Sequence, residues 1–283
     1  MKIQFYTPAA KAKAYGFGCA SFGFPHAEDP ADIQTVEFPS DVNGDLICGT
    51  YEECLAKIPE KAYQVAIVVL GNAGGENAFI HSLQQKLNVP IVGGGAAINP
   101  VTGEKGLITG GAEAAVFLMD DPRYGVEICC ENIHHDVLGE HSVTFTNPRQ
   151  ADTIDGVDAV AWLAAKKAEL GIVPEDFEHL TLSDENGINA HLSLVDGKIC
   201  SGRDLTEKML LRYVPADKVY ERMQAFYDDE NAMVFGCAGL KGILPKSMTG
   251  KSTGLFLFGE VCTKNGKSEF GNLMLSKLRI IQK

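Results

Sequence analysis

The chain has 283 residues, 45% of them apolar, and a formal charge of −12 from 25 Lys+Arg against 37 Asp+Glu. That apolar content supplies a sizeable core and excludes disorder as the dominant state, while the acidic balance excludes a general phosphate-tracking surface, so neither nucleic acid nor an anionic membrane is expected as a partner. No uncharged apolar run reaches the roughly 18 residues of a membrane span, and the opening Met-Lys-Ile-Gln-Phe-Tyr-Thr-Pro lacks a secretory apolar region, which predicts a soluble, cytoplasmic protein.

In chain order, Thr50 with Glu53 three residues later reads as a capping box opening a short helix within 43–57. Tyr63 to Leu70, β-branched and apolar without alternation, has the pattern of a strand covered on both faces. A helical pattern from Glu76 to Leu87 and a second buried strand over Val89 to Val92 complete a β-α-β unit whose strands should be neighbours. Ala114 to Met119, Gly125 to Cys130 and His141 to Thr146 are strand-like runs parted by turns, which predicts an antiparallel meander. Val157 to Leu170 is the clearest helix, opened by Asp155-Gly156 and closed by Gly171, with Asp155 read as a turn or cap residue. Strands follow at Leu180 to Ser183, Ala190 to Val195 and Lys198 to Cys200, then a helix over Ala216 to Tyr227 and a strand over Ala232 to Cys237. The chain closes on a hairpin of Gly254 to Thr263 with Lys267 to Ile281, joined at Asn265-Gly266. Strands outnumber helices and come in meanders, so the expected class is α+β: two β-sheet-containing halves packed together with a few flanking helices.

Cysteines at 19, 48, 54, 129, 130, 200, 237 and 262 show no Cys-x-x-Cys spacing, which predicts reduced thiols and no zinc site. Three glycine-rich segments fail as nucleotide loops. Gly71 to Glu76 lacks GxGxxG spacing, Ile98 stands where the last small residue of the Gly93 segment belongs, and Pro245 replaces the first glycine of a P-loop ending at Gly250-Lys251-Ser252. The N–H groups of Gly93 to Ala97 either hold a carboxylate or serve tight turns.

Five side chains carry the chemistry. Cys237 ends an apolar strand and enters a glycine-punctuated turn, where it serves as nucleophile, redox thiol or packing group. Glu260 shares a strand face with Phe256, Phe258 and Cys262, so it either binds backbone N–H groups or faces a pocket, and Asn272 across the hairpin poses the same question. In Cys129-Cys130-Glu131-Asn132-Ile133-His134-His135, an extended backbone separates Cys130 from His134 by about 13 Å at ~3.3 Å per residue, too far to share an ion. Either His134 or His135 alone is a polar residue at a strand end, a ligand contact or a haem ligand.

Together these residues resemble the FIST family, a two-part sensory domain. The C-terminal match is the more specific: Gly254-Leu255-Phe256-Leu257-Phe258-Gly259-Glu260-Val261, Asn265-Gly266 and Asn272. Phe235-Gly236-Cys237-Ala238-Gly239 is similar to the family's Cys-x-Gly strand, although Leu240 stands where arginine often follows. Leu138-Gly139, Val143-Thr144, Ile154-Asp155-Gly156 and Ala159 are similar to its junction, and Val92-Gly93-Gly94-Gly95-Ala96 to the end of its first part.

The resemblance implies an N-terminal half over 1–137, a C-terminal half over 138–283, and a module that binds amino acids or related metabolites. It also implies signalling through a separate partner protein. Cleft sites between packed halves are common, which places the expected ligand pocket at Gly94, Gly95, His134, Cys237, Gly239, Glu260 and Asn272. No cofactor is expected, with haem the exception because some family members bind it to sense nitric oxide. Two rivals remain: a cysteine-dependent enzyme with Cys237 as nucleophile, a histidine base and N–H donors at Gly239 or Gly95, and a haem-binding gas sensor using His134 or His135.

Overall fold

The computed structural model describes residues 42–71, 75–96, 112–229, 232–243, 253–257 and 259–283, with backbone segments 2–7, 12–14, 20–22 and 32–37. The β-α-β unit forms as its hydrophobic pattern requires. Val65–Leu70 and Ile91–Gly95 run parallel, Ala66 opposite Ile91 and Leu70 opposite Gly95, with helix Glu76–Leu87 crossing between them. Helix Tyr51–Lys57 opens on the Thr50/Glu53 capping box. The full first sheet is ordered Lys267–Gly271, Glu260–Lys264, Ile91–Gly95, Val65–Leu70, Ala114–Met119, Gly44–Gly49.

A second sheet repeats this plan in the order Ala12–Ala14, Ala20–Phe22, Thr253–Leu257, Ala232–Cys237, Leu275–Gln282, Tyr124–Glu131. Each sheet has one parallel pair at its centre, two antiparallel strands on one side and an antiparallel pair from a distant part of the chain on the other. Those outer pairs are exchanged: the C-terminal hairpin 260–271 borders the first sheet, and the N-terminal pair borders the second.

The two sheets pack face to face. Ile67, Val69 and Phe117 of the first meet Met233, Phe235, Leu257 and Leu278 of the second in one core. The outer face of the first sheet takes Phe79, Ile80 and Leu83 of its crossover helix, and that of the second takes Val219, Met223 and Tyr227 of helix Ala216–Tyr227. The layers are therefore helix, sheet, sheet, helix, which is why the central strands read as continuous apolar runs.

Residues 136–213 form an inserted module with its own core of Ile154, Trp162, Leu163, Leu182, Leu192 and Leu211. It is built on a sheet of Asp136–Thr144, Lys208–Tyr213 and Leu180–Ser183, a smaller one of Gln150–Ala151, Lys198–Ser201 and Leu192–Val195, and helix Ala159–Leu170. The α+β class with packed sheets and few helices is the one read from the sequence. Among the described residues no helix is long and apolar enough to cross a membrane.

Several local expectations are corrected. The supposed meander does not form, because Ala114–Met119, Tyr124–Glu131 and Asp136–Thr144 join three different sheets. Short turns fix where strands end but not which strand each one meets. The last hairpin is likewise two elements: Thr253–Leu257 stays in the second sheet, and Gly259, at φ 77°, turns the chain into the first. The Asn265-Gly266 turn itself forms with both residues at positive φ, 50° and 75°. Helix Ala159–Leu170 is capped by Asp158, whose side chain accepts Ala161 N–H at 3.0 Å, and not by Asp155, which is the turn residue of that expectation, at φ 52° beside Gly156, and accepts Ser142 N–H at 3.0 Å and contacts His141 at 2.7 Å. The thiols are not all free: Cys130 is disulfide-bonded to Cys262. A separation of 132 residues carries no spacing signal, and only the packing of the second sheet's outer strand against the hairpin brings the two together.

Candidate functional site

The site forms where the chain crosses between sheets. Parallel pairing of Ala232–Cys237 with Thr253–Leu257 sets Cys237 beside Leu257, at the carboxyl ends of both strands. Three residues on, Glu260 opens the hairpin opposite Gly94. Gly94 is required there: a Cβ at this position would stand 2.2 Å from the Gly259 carbonyl oxygen. Gly95 donates its N–H to that same oxygen at 3.1 Å. The two glycines thus seat the backbone of the Glu260 strand.

Glu260 is fully buried; its Oε2 accepts Met274 N–H at 3.0 Å, and its Oε1 has no hydrogen-bond partner among the described residues. Burial pushes its carboxyl well above the usual range and so favours the protonated acid, which has an O–H to donate. Cys237, 5% exposed, lies against it, and burial first, then the Glu260 charge, raises the thiol as well. The N–H groups of Gly239 and Leu273 point at the sulfur and act in the opposite direction. Leu273 reaches this position at φ 53°, a conformation bulky side chains rarely adopt, and its side chain is fully buried. Tyr227, at the end of its helix, is close enough that Glu260 and Cys237 add to the burial that raises its hydroxyl.

Asn272 joins the cluster through the inserted module. Its N–H bonds Asn189 O at 3.1 Å and its Oδ1 accepts His191 N–H at 3.4 Å. His191 was not singled out in the sequence, where Ala190 to Val195 reads as one strand. The structure breaks that run at His191, and a Cβ added to Gly239 would lie 3.5 Å from Cys237 Sγ and 4.0 Å from the His191 ring. His191 Nδ1 is buried without a partner among the described residues, and desolvation, aided by the Lys167 charge, lowers the imidazole to about 4. The signal that could have flagged it is a histidine set between Ala190 and Leu192, which are fully buried.

His134 is not brought to the thiol. It is fully buried behind Asn189, with Nε2 on Glu178 O at 2.7 Å and Nδ1 at 3.2 Å from both Asn132 Oδ1 and Asn189 Nδ2. Desolvation lowers its imidazole to about 3. Asn189 Nδ2 also reaches Leu273 O at 3.4 Å, so His134 supports the loop that carries the N–H donors. With both ring nitrogens occupied and His135 exposed on the surface, neither histidine fits an enclosed haem. No group of three His, Cys, Asp or Glu side chains gathers as metal ligands among the described residues.

Two cavities lie elsewhere. One, of about 350 Å³, is apolar and bounded by Leu163, Lys167, Ile172, Phe177 and Leu194 in the inserted module. The other, of about 760 Å³, separates that module from the first sheet and is lined by His81, Asp184, Arg203, Glu207, Lys267 and Glu269. The glycine segments around residues 72–74, 97–98 and 250–252, and Phe258, fall outside the described residues. The chain matches no model of a known protein family, and no curated protein matches its sequence.

Proposed function

We propose that this chain is a small-molecule binding and sensing protein of the FIST type, taking an amino acid or related metabolite and signalling through a separate partner protein. Its ligand sits on Cys237, Gly239, Glu260 and Asn272, with His191 completing the set and Gly94, Gly95 and His134 holding the frame. One observation supports this most: Glu260 Oε1 and His191 Nδ1 are both buried polar atoms with no hydrogen-bond partner among the described residues. Leaving such groups unsatisfied costs about 1–3 kcal/mol each, and a ligand that bonds them recovers it. Burial disfavours the charged forms of the acid, the thiol and the imidazole alike, and Leu240 is buried in the apolar cluster beneath Cys237, so recognition runs through hydrogen bonds rather than ion pairs.

A thiol enzyme is the second reading, favoured by the Gly239 and Leu273 N–H groups that converge on Cys237 Sγ. Burial opposes it, because it keeps the thiol protonated. Cys237→Ser separates the two. Binding predicts that ligand affinity, read by thermal shift, stays within about tenfold, a loss of ~1.4 kcal/mol. Nucleophilic catalysis predicts that turnover of any substrate disappears.

A further inference from the structure

We propose that the Cys130–Cys262 disulfide is a redox-modification site that clamps the Cys237–Glu260 pair shut, and that a dithiol reductant opens it. The proposal rests on reading that pair as the ligand site.

Glu260 belongs to the hairpin of the first sheet, whereas Cys237 ends a strand of the second, so their contact spans the two layers. The disulfide crosses the same boundary. Cys130 lies on Tyr124–Glu131, the outer strand of the second sheet, and Cys262 on Glu260–Lys264. Strand alternation places Cys262 on the same face as Glu260, two residues along. Met274 closes the connection: its side chain packs with Cys262, and its N–H is the donor to Glu260 Oε2. The other edge of the hairpin strand is anchored to the first sheet by Thr263, which bonds Ile91 N–H at 2.9 Å and Ile91 O at 2.8 Å. Cutting the sulfur bridge therefore removes the covalent tie between the hairpin and the second sheet's outer strand while leaving the hairpin fixed to its own sheet.

The bridge is reachable from one side. Cys130 is half-buried and Cys262 fully buried, so an external thiolate attacks the Cys130 sulfur. The Cys130–Cys262 bond breaks as a mixed disulfide forms, and Cys262 leaves as a thiolate and takes up a proton. The reductant's second thiol then displaces Cys130, which is protonated in turn. Two electrons and two protons reach the protein, and the dithiol departs as its disulfide.

The test is iodoacetamide labelling of the full chain, oxidised or treated with dithiothreitol, with each cysteine quantified by peptide mass spectrometry. Cys237 should label on the order of tenfold faster after reduction, as local opening requires, while fully buried Cys54 stays unlabelled. The double substitution Cys130→Ser with Cys262→Ser should reproduce the fast labelling without reductant, and Cys129→Ser should leave the rates unchanged. Equal Cys237 rates in the two forms would overturn the proposal. So would Cys54 labelling in step with Cys237, which reports global unfolding, or a failure of Cys130 and Cys262 to pair in the presence of oxidised glutathione. Failure of the ligand-site reading shows separately, in a thermal-shift screen of oxidised protein that involves no reductant.

Discussion

Met274 gives its backbone N–H to Glu260 Oε2 at 3.0 Å, tying the strained loop at Leu273 to the first residue of the exchanged hairpin. Through that bond the cluster depends on the outer hairpin of one sheet staying in register with the last strand of the other.

Replacing Glu260 tests the charge state that burial imposes. A raised carboxyl means that the folded chain holds this proton more tightly than the unfolded chain does. Its contribution to stability is therefore present below the ordinary value of 4.5 and lost as pH rises toward the folded value. Glu260→Gln keeps an acceptor for Met274 N–H without a charge to bury, so its Tm should fall less than that of the wild type between pH 5 and 8. Glu260→Ala should cost about 2–4 kcal/mol at any pH in a denaturant titration, from a cavity and an unpaired N–H. Parallel Tm curves for the wild type and Glu260→Gln would show that the carboxyl is not held neutral.

His134 works in the opposite sense. Its imidazole drops from 6.5 to about 3 on folding, so the unfolded chain binds the extra proton and stability falls as pH drops below 6.5. By pH 4 this amounts to about 3 kcal/mol. His134→Gln should be less stable at pH 7, where its hydrogen bonds are missed, yet lose less between pH 6.5 and 4. Urea titrations at both ends of that window measure the difference, and an equal loss in both proteins would assign the acid sensitivity to other groups.

Gly94→Ala should be among the most damaging small changes in the chain. The added methyl meets the Gly259 carbonyl oxygen at 2.2 Å, and the obstacle is backbone rather than a movable side chain. Either the hairpin register slips or the two sheets part, with a loss of about 3 kcal/mol or more. Gly156→Ala provides the comparison: its φ of 76° strains any side chain, but no atom lies within 4 Å, so about 1 kcal/mol is expected. Thermal unfolding of the two variants should rank them in that order.

What was legible in the sequence was local. Val65–Leu70, helix Ala216–Tyr227, the Thr50 cap and the Asn265-Gly266 turn each carry their signal within a few residues, and each formed. Glu260 stood out because an acid in an apolar strand demands a reason, and its burial and the Met274 N–H donor supply one. Partnership was not legible. Three successive strands separated by short turns entered three sheets, Cys130 found Cys262 across the sandwich, and His191 reached Cys237's neighbourhood from an inserted module whose boundaries leave no compositional mark. Periodicity records which face of an element is covered but not what covers it, so the hydrogen bonds that fix His134 away from the thiol had no counterpart in the residue pattern.

The most direct measurement is native mass spectrometry of freshly purified wild-type protein beside Glu260→Gln and His191→Ala, followed by a thermal-shift screen of amino acids, small carboxylates and haem. A site built on the unpartnered atoms of Glu260 and His191 should retain or be stabilised by a small molecule in the wild type, and that mass or shift should be lost in His191→Ala. The bare chain in every sample with no stabilising compound, or a ligand held equally by all three proteins, would contradict it. Selective labelling of Cys237 in the absence of any binder would then place the thiol enzyme first.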